Sequence, residues 1–158
     1  MQTVAVLCND EIQEDLPMPS RNHSRVAQKL GVLLSRFSEH VDVFQQLSLN
    51  LNGFKAIPDL SVFQVGKLPF DMVSDENEVT EPPSLIIEIL SPMQNMQPLV
   101  NKVRDLIDHG VTTGWIVLPM SNVIVVYQKD MPPKPVVEGI LRDAASGVEI
   151  EVAAVFRR

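Results

Sequence analysis

The stretch LIIEILSP, residues 85–92, is a continuous apolar run interrupted by one carboxylate, Glu88. It is short, rich in isoleucine, and bounded by Pro82-Pro83 before it and by Pro92 at its end. Those features predict a strand buried on both faces, as in the interior of an α/β sheet. A carboxylate in such a strand either stays protonated or finds a donor, a cation or a metal, because an unpaired buried charge costs several kcal/mol. The rest of the sequence is read for that partner.

The totals narrow the field. At 158 residues the chain is expected to be a single domain, residues 1–158, with a core of ordinary size. Its only cysteine, Cys8, leaves no intramolecular disulfide and fits a reducing compartment. The first ten residues lack a basic segment ahead of their apolar run, which argues against a secretory signal. No run nears the ~20 apolar residues of a membrane span, so a soluble, cytoplasmic protein is expected. The formal charge of −7 opposes simple polyanion binding, unless a local basic stripe or a bound divalent cation offsets it.

Outward from the buried strand the pattern alternates. Residues 3–7 suggest a first strand, and Pro17 to Ser20 a break leading into a helix capped by Ser20 or Asn22. Residues 22–39 are predicted helical, with Val26, Leu30, Leu33, Leu34 and Phe37 on one face and Arg25, Lys29 and Arg36 on the other. His23 falls at the N-terminal end of the apolar face and reads as a core-edge histidine bonded to backbone. Residues 41–51 read as a strand, Asn52-Gly53 as a hairpin turn, and Ala56 to Val65 as the return strand. Residues 66–84 read as an exposed acidic loop. Asn95 to Gly110 is the second predicted helix, and Trp115–Pro119 with Val123–Tyr127 a hairpin. After a Pro-rich connection at 130–135, residues 136–140 and 148–152 are weaker strand candidates. The predicted class is α/β, with a mixed sheet.

Asp59, on the strand before the long loop, and Glu88, on the strand after it, are placed to be neighbours in the sheet. Two adjacent carboxylates repel, and a divalent cation relieves them as a hard-oxygen site. Lys102, on the flank of the second helix's apolar stripe, would add a positive charge. Such a group activates water and stabilises charge on phosphorus. The alternative from the same residues is a structural Glu88–Lys102 ion pair. The scattered glycines give no phosphate loop, and His23, His40, His109 and Cys8 lie too far apart for zinc spacing.

At these residues the sequence resembles a known family. The ordered pieces are Pro58-Asp59-Leu60-Ser61-Val62, then Ile86-Ile87-Glu88-Ile89-Leu90-Ser91-Pro92, then Lys102, Gly110-Val111 and Trp115-Ile116-Val117-x-Pro119. Met18-Pro19-Ser20-x-x-His23-Ser24-Arg25-Val26 resembles the segment that precedes the family's long helix. Together, over residues 17–127, they are similar to the putative restriction endonuclease family, a former domain of unknown function within the PD-(D/E)XK nuclease superfamily. The resemblance implies a restriction-endonuclease-like mixed sheet core flanked by helices. It implies Asp59 and Glu88 as ligands of Mg²⁺ or Mn²⁺, with the Ile89 carbonyl as a further ligand. Lys102 is implied as the migrated lysine, since the usual position two residues after the glutamate is Leu90. Three positions depart from the family pattern: the glutamate and glycine expected near Leu7 to Glu11, an acid where Leu118 stands, and a tyrosine where Leu106 stands.

The expected activity is metal-dependent hydrolysis of DNA phosphodiesters by a homodimer. Asp59, Glu88 and Lys102 would be catalytic, and Arg25, Lys29, Arg36 and His23 would lie toward the nucleic acid. The rival expectation is a catalytically degenerate member of the fold that works as an interaction or oligomerisation module.

Overall fold

The computed structural model describes residues 19–158. The expected strand at 3–7, Cys8, and the segment from Leu7 to Glu11 lie outside the described residues. A helix α1 (Arg21–Ser35) leads into strands β1 (Val41–Gln45), β2 (Leu49–Leu51), β3 (Phe54–Ala56), β4 (Leu60–Gln64) and β5 (Leu85–Ile89). Helix α2 (Met96–Asp108) follows, then β6 (Thr113–Leu118), β7 (Val123–Gln128), β8 (Lys134–Val136), β9 (Ile140–Arg142), β10 (Glu149–Glu151) and a short α3 (Val152–Phe156).

Six strands make one mixed sheet in the order β1-β4-β5-β6-β7-β8. Among the described strands of this sheet only β5 and β6 pair in parallel; α2 is the crossover between them, as a parallel pair requires. β5 sits inside the sheet and every residue of it is buried, as its apolar run predicts. Its side chains alternate between two cores. Leu85, Ile87 and Ile89 join the cluster under α1 and α3, with Leu30, Leu34 and Trp115. Ile86 joins the cluster under α2, with Val103, Leu106 and Phe63. Glu88 has the parity of Ile86, so it projects toward α2.

Local chemistry fixes both helices. Ser20 caps α1, its Oγ accepting the His23 N–H at 3.1 Å. The turn after α2 passes through Gly110 at φ 110°, a conformation that favours glycine. α2 lies so close to β6 that a Cβ on Gly114 would collide with Val103 Cγ1. No helix among the described residues is long and apolar enough to cross a membrane.

Five expected elements differ from those observed; one is the strand candidate at 136–140, where Val136 ends β8, Ile140 begins β9 and the chain turns between them through Gly139 at φ 80°. The strand predicted over 41–51 is two, β1 and β2, because the chain turns at Gln46 with φ 54°. The hairpin at Asn52 (φ 51°) and Gly53 (φ 90°) is present, but its return arm is only Phe54–Ala56. Pro58, which has no N–H to donate, ends that arm, and β4 joins the large sheet instead. The 66–84 segment is exposed over most of its length, yet Val79 is buried and bridges to Leu49. Beside it Glu78 binds Lys55 at 2.6 Å and Asn50 at 2.9 Å. Near the end, the strand candidate at 148–152 yields to helix at Val152, whose side chain packs with Val155 into the α1 core.

Candidate active site

The centre lies where β4 begins and β5 ends. The antiparallel register pairs Leu60 with Ile87 and Ser61 with Ile86. Extending it by one residue sets Asp59 opposite Glu88 in register. Pro58 has interrupted the backbone ladder here, and the Asp59 side chain takes its place: Oδ2 accepts the Ile89 N–H at 2.8 Å. Because a strand residue's N–H and C=O face the same neighbour, the Ile89 carbonyl points to the side of Asp59 too.

Each carboxylate has a basic partner. His23 Nε2 lies 3.0 Å from Asp59 Oδ2, reaching across from the first turn of α1. Lys102 Nζ lies 2.5 Å from Glu88 Oε1, a charge contact rather than a well-directed hydrogen bond, and donates to the Ile57 carbonyl at 2.8 Å. Segments far apart in sequence, at 20–23, 57–59, 88–89 and 102, thus converge where β4 begins and β5 ends. The side chain of Glu88 is 4% exposed, while that of Lys102 is 28% exposed and keeps a route to solvent.

The electrostatics follow from burial. Removal from water pushes the Glu88 carboxyl up to about 7; the Lys102 ammonium opposes this but does not overcome it. Hydrogen bonding to Asp59 raises the His23 imidazole above its ordinary value, against the effect of its own burial, and the charges of Asp59 and Glu88 add to the rise. His23 is therefore the electrostatic partner of Asp59, not a surface cation. The remaining basic residues of α1 are spread out. Arg25 is exposed beside a groove near the centre, Lys29 is half-buried, and Arg36 sits at the C-cap. Arg36 is eleven residues beyond Arg25, roughly 16 Å along the axis at ~1.5 Å per residue.

Among the described residues no three His, Cys, Asp or Glu side chains form a cluster able to hold a metal ion. The donors on offer are two carboxylates and the Ile89 carbonyl. That all-oxygen set suits Mg²⁺ or Mn²⁺, which commonly bind through one or two carboxylates and fill their other positions with water and substrate phosphates. The raised Glu88 pKa fits as well, since it marks a buried anion that one ammonium does not fully compensate.

Leu90 and Leu118 line one groove of about 290 Å³ at the ends of β5 and β6, with Met96 and Met120. Leu106 is fully buried in the α2 core. Sequence reasoning missed the His23–Asp59 pairing and the Ile57 carbonyl. The signal for the first was the capping pattern at Ser20, which fixes where the third residue of the helix points; the second had none.

The model of one family, described as Putative restriction endonuclease and named Uma2, matches residues 3–153. Among solved structures, a putative nuclease belonging to DUF820 from Anabaena variabilis is similar in fold. Its TM-score is 0.79 at 22% identity, covering 89% of this chain and 83% of that one. No curated protein matches the sequence.

Proposed function

The chain belongs to the Uma2 family of putative restriction endonucleases, and from that premise we propose that it is a metal-dependent DNA endonuclease. Asp59 and Glu88, with the Ile89 carbonyl, would hold Mg²⁺ or Mn²⁺, and Lys102 would serve the attacking water. The single observation that carries the reading is the convergence of Asp59, Glu88 and Lys102 from three separate segments where β4 begins and β5 ends. When bound, the cation would neutralise phosphate charge and acidify a water molecule. The chain's own residues do the rest. His23 and the Ile89 N–H fix the Asp59 carboxylate through its Oδ2. Lys102, tethered between Glu88 and the Ile57 carbonyl, holds an ammonium where charge develops on the phosphate oxygens. Cutting both strands of a duplex suits a two-fold homodimer.

A second reading is favoured by a specific observation: both carboxylates already have basic partners, and Leu118 stands where the family pattern has an acid. In that reading the chain is a degenerate member of the fold, serving as an interaction or oligomerisation module. Thermal denaturation with millimolar Mn²⁺ separates the two. The enzyme reading expects Mn²⁺ to raise the melting temperature, and Asp59→Ala or Glu88→Ala to abolish both that rise and duplex cleavage. Cleavage retained in Glu88→Ala removes the assignment.

A further inference from the structure

A groove of about 390 Å³ lies next to the centre, between the start of α1, the β6–β7 turn and the end of the chain. Its lining includes Arg25, Arg157 and Arg158, together with the amides of Asn22 and Asn122. We propose that this groove binds the phosphodiester backbone of the DNA strand beside the Asp59–Glu88 centre. The proposal rests on the reading of the chain as a DNA endonuclease, and it supplies the anchoring surface which that reading lacks.

Three observations carry it. The first is charge placement. The chain has 13 basic against 20 acidic residues, yet three arginines meet at this one groove. An acidic protein attracts a polyanion only where such a local positive field exists. Glu151 pairs with Arg157 at 2.9 Å, and this ion pair is open to solvent, which makes it exchangeable for a phosphate. Arg25 and Arg158 make no ion pair among the described residues.

The second observation is chemical type. Guanidinium groups offer forked donors that match phosphate oxygens, and the two asparagine amides add neutral donors beside them. The lining also includes Val26, Pro119, Val155 and Phe156, of which Pro119 and Phe156 are partly accessible.

The third is position. Asn22 and Val26, which line the groove, bracket His23, and His23 touches Asp59. Pro119 follows directly on β6, at the same end of the parallel pair as Glu88 and Ile89. A strand lying in the groove would therefore pass the two carboxylates.

The test measures binding of a short fluorescent duplex DNA without metal, by anisotropy over a range of salt concentrations. Metal-dependent cleavage is assayed separately on the same proteins. The double variant Arg25→Ala/Arg157→Ala is compared with native chain and with Lys134→Ala, which removes one positive charge from the exposed edge strand β8. Circular dichroism confirms that each variant is folded. The expected result is at least about a tenfold loss of affinity in the double variant, with a salt slope shallower by about 2, given roughly 0.9 per phosphate contact. Lys134→Ala should bind as native. Unchanged affinity and slope in the double variant overturn the proposal, as does an equal loss in Lys134→Ala or a native chain that fails to bind duplex. Binding through the groove with no cleavage under any metal would sink the nuclease reading and leave the groove standing.

Discussion

Replacing Glu88 with glutamine should make the protein more stable at alkaline pH, although it removes one member of an ion pair. Burial raises the folded-state pKa of Glu88 from the ordinary 4.5 to about 7. Between those values the folded chain keeps a proton that the unfolded chain has lost, so stability falls as pH rises through this window. At about 1.4 kcal/mol per pKa unit the full effect is roughly 3 kcal/mol, an order-of-magnitude figure that is sizeable beside a typical domain stability. Glutamine has the same shape and cannot ionise. Lys102 does not become a stranded buried charge in the variant, because it is 28% exposed and retains the Ile57 carbonyl. The assay is urea denaturation of native chain and Glu88→Gln at pH 4.5, 6 and 8 without divalent metal. The two stabilities should agree at the lowest pH and separate progressively, with the variant ahead by roughly 3 kcal/mol at pH 8. His23 adds a slope of the same sign above pH 6.5, since its raised pKa stabilises the fold only while it is protonated; in the variant this slope is smaller, because the Glu88 charge no longer adds to it, but the Asp59 hydrogen bond keeps its sign. Parallel pH profiles for the two proteins would refute the claim that burial controls Glu88.

Two further outcomes follow from the same geometry. Asp59→Asn keeps an acceptor for the Ile89 N–H but removes the charge beside His23, so the imidazole pKa should drop from its raised value; NMR titration of the ring protons checks this, and an unmoved midpoint contradicts the pairing. Gly114→Ala should destabilise the protein by about 1–3 kcal/mol in urea unfolding, the range for overpacking, because the added methyl meets Val103 where α2 crosses β6.

How much of this was legible beforehand depends on whether the signal was local. The β5 strand was readable because a short apolar run between prolines, broken only by Glu88, leaves few alternatives. Both helices were readable from their apolar stripes, and Ser20 from its capping chemistry. The division of 41–65 into four strands in two sheets was not, since it depends on a positive φ at Gln46 that no glycine or asparagine advertises. The helical turn at Val152 is likewise set by packing against α1. In the candidate site, Asp59, Glu88 and Lys102 were named from residue type, parity and helical flank, whereas the hold of His23 on Asp59 is tertiary. The arginine groove joins α1 to residues 130 positions later, a distance over which no pattern in one sequence reports.

The two functional readings make opposite demands on the same ion pairs. If the pairs are only structural, the His23–Asp59 and Lys102–Glu88 contacts are the final state, and the raised Glu88 pKa is a standing cost of burial. If the site holds a cation, that cost is what the metal relieves, and affinity is linked to protons. Binding would displace the Glu88 proton, so metal affinity should rise as pH climbs toward about 7 and level off above it. Calorimetric Mn²⁺ titrations at pH 6 and pH 8 expose this linkage. The expected result is several-fold tighter binding at the higher pH in native chain, and no binding in Glu88→Ala. Equal affinity at both pH values would place any bound ion somewhere other than Glu88.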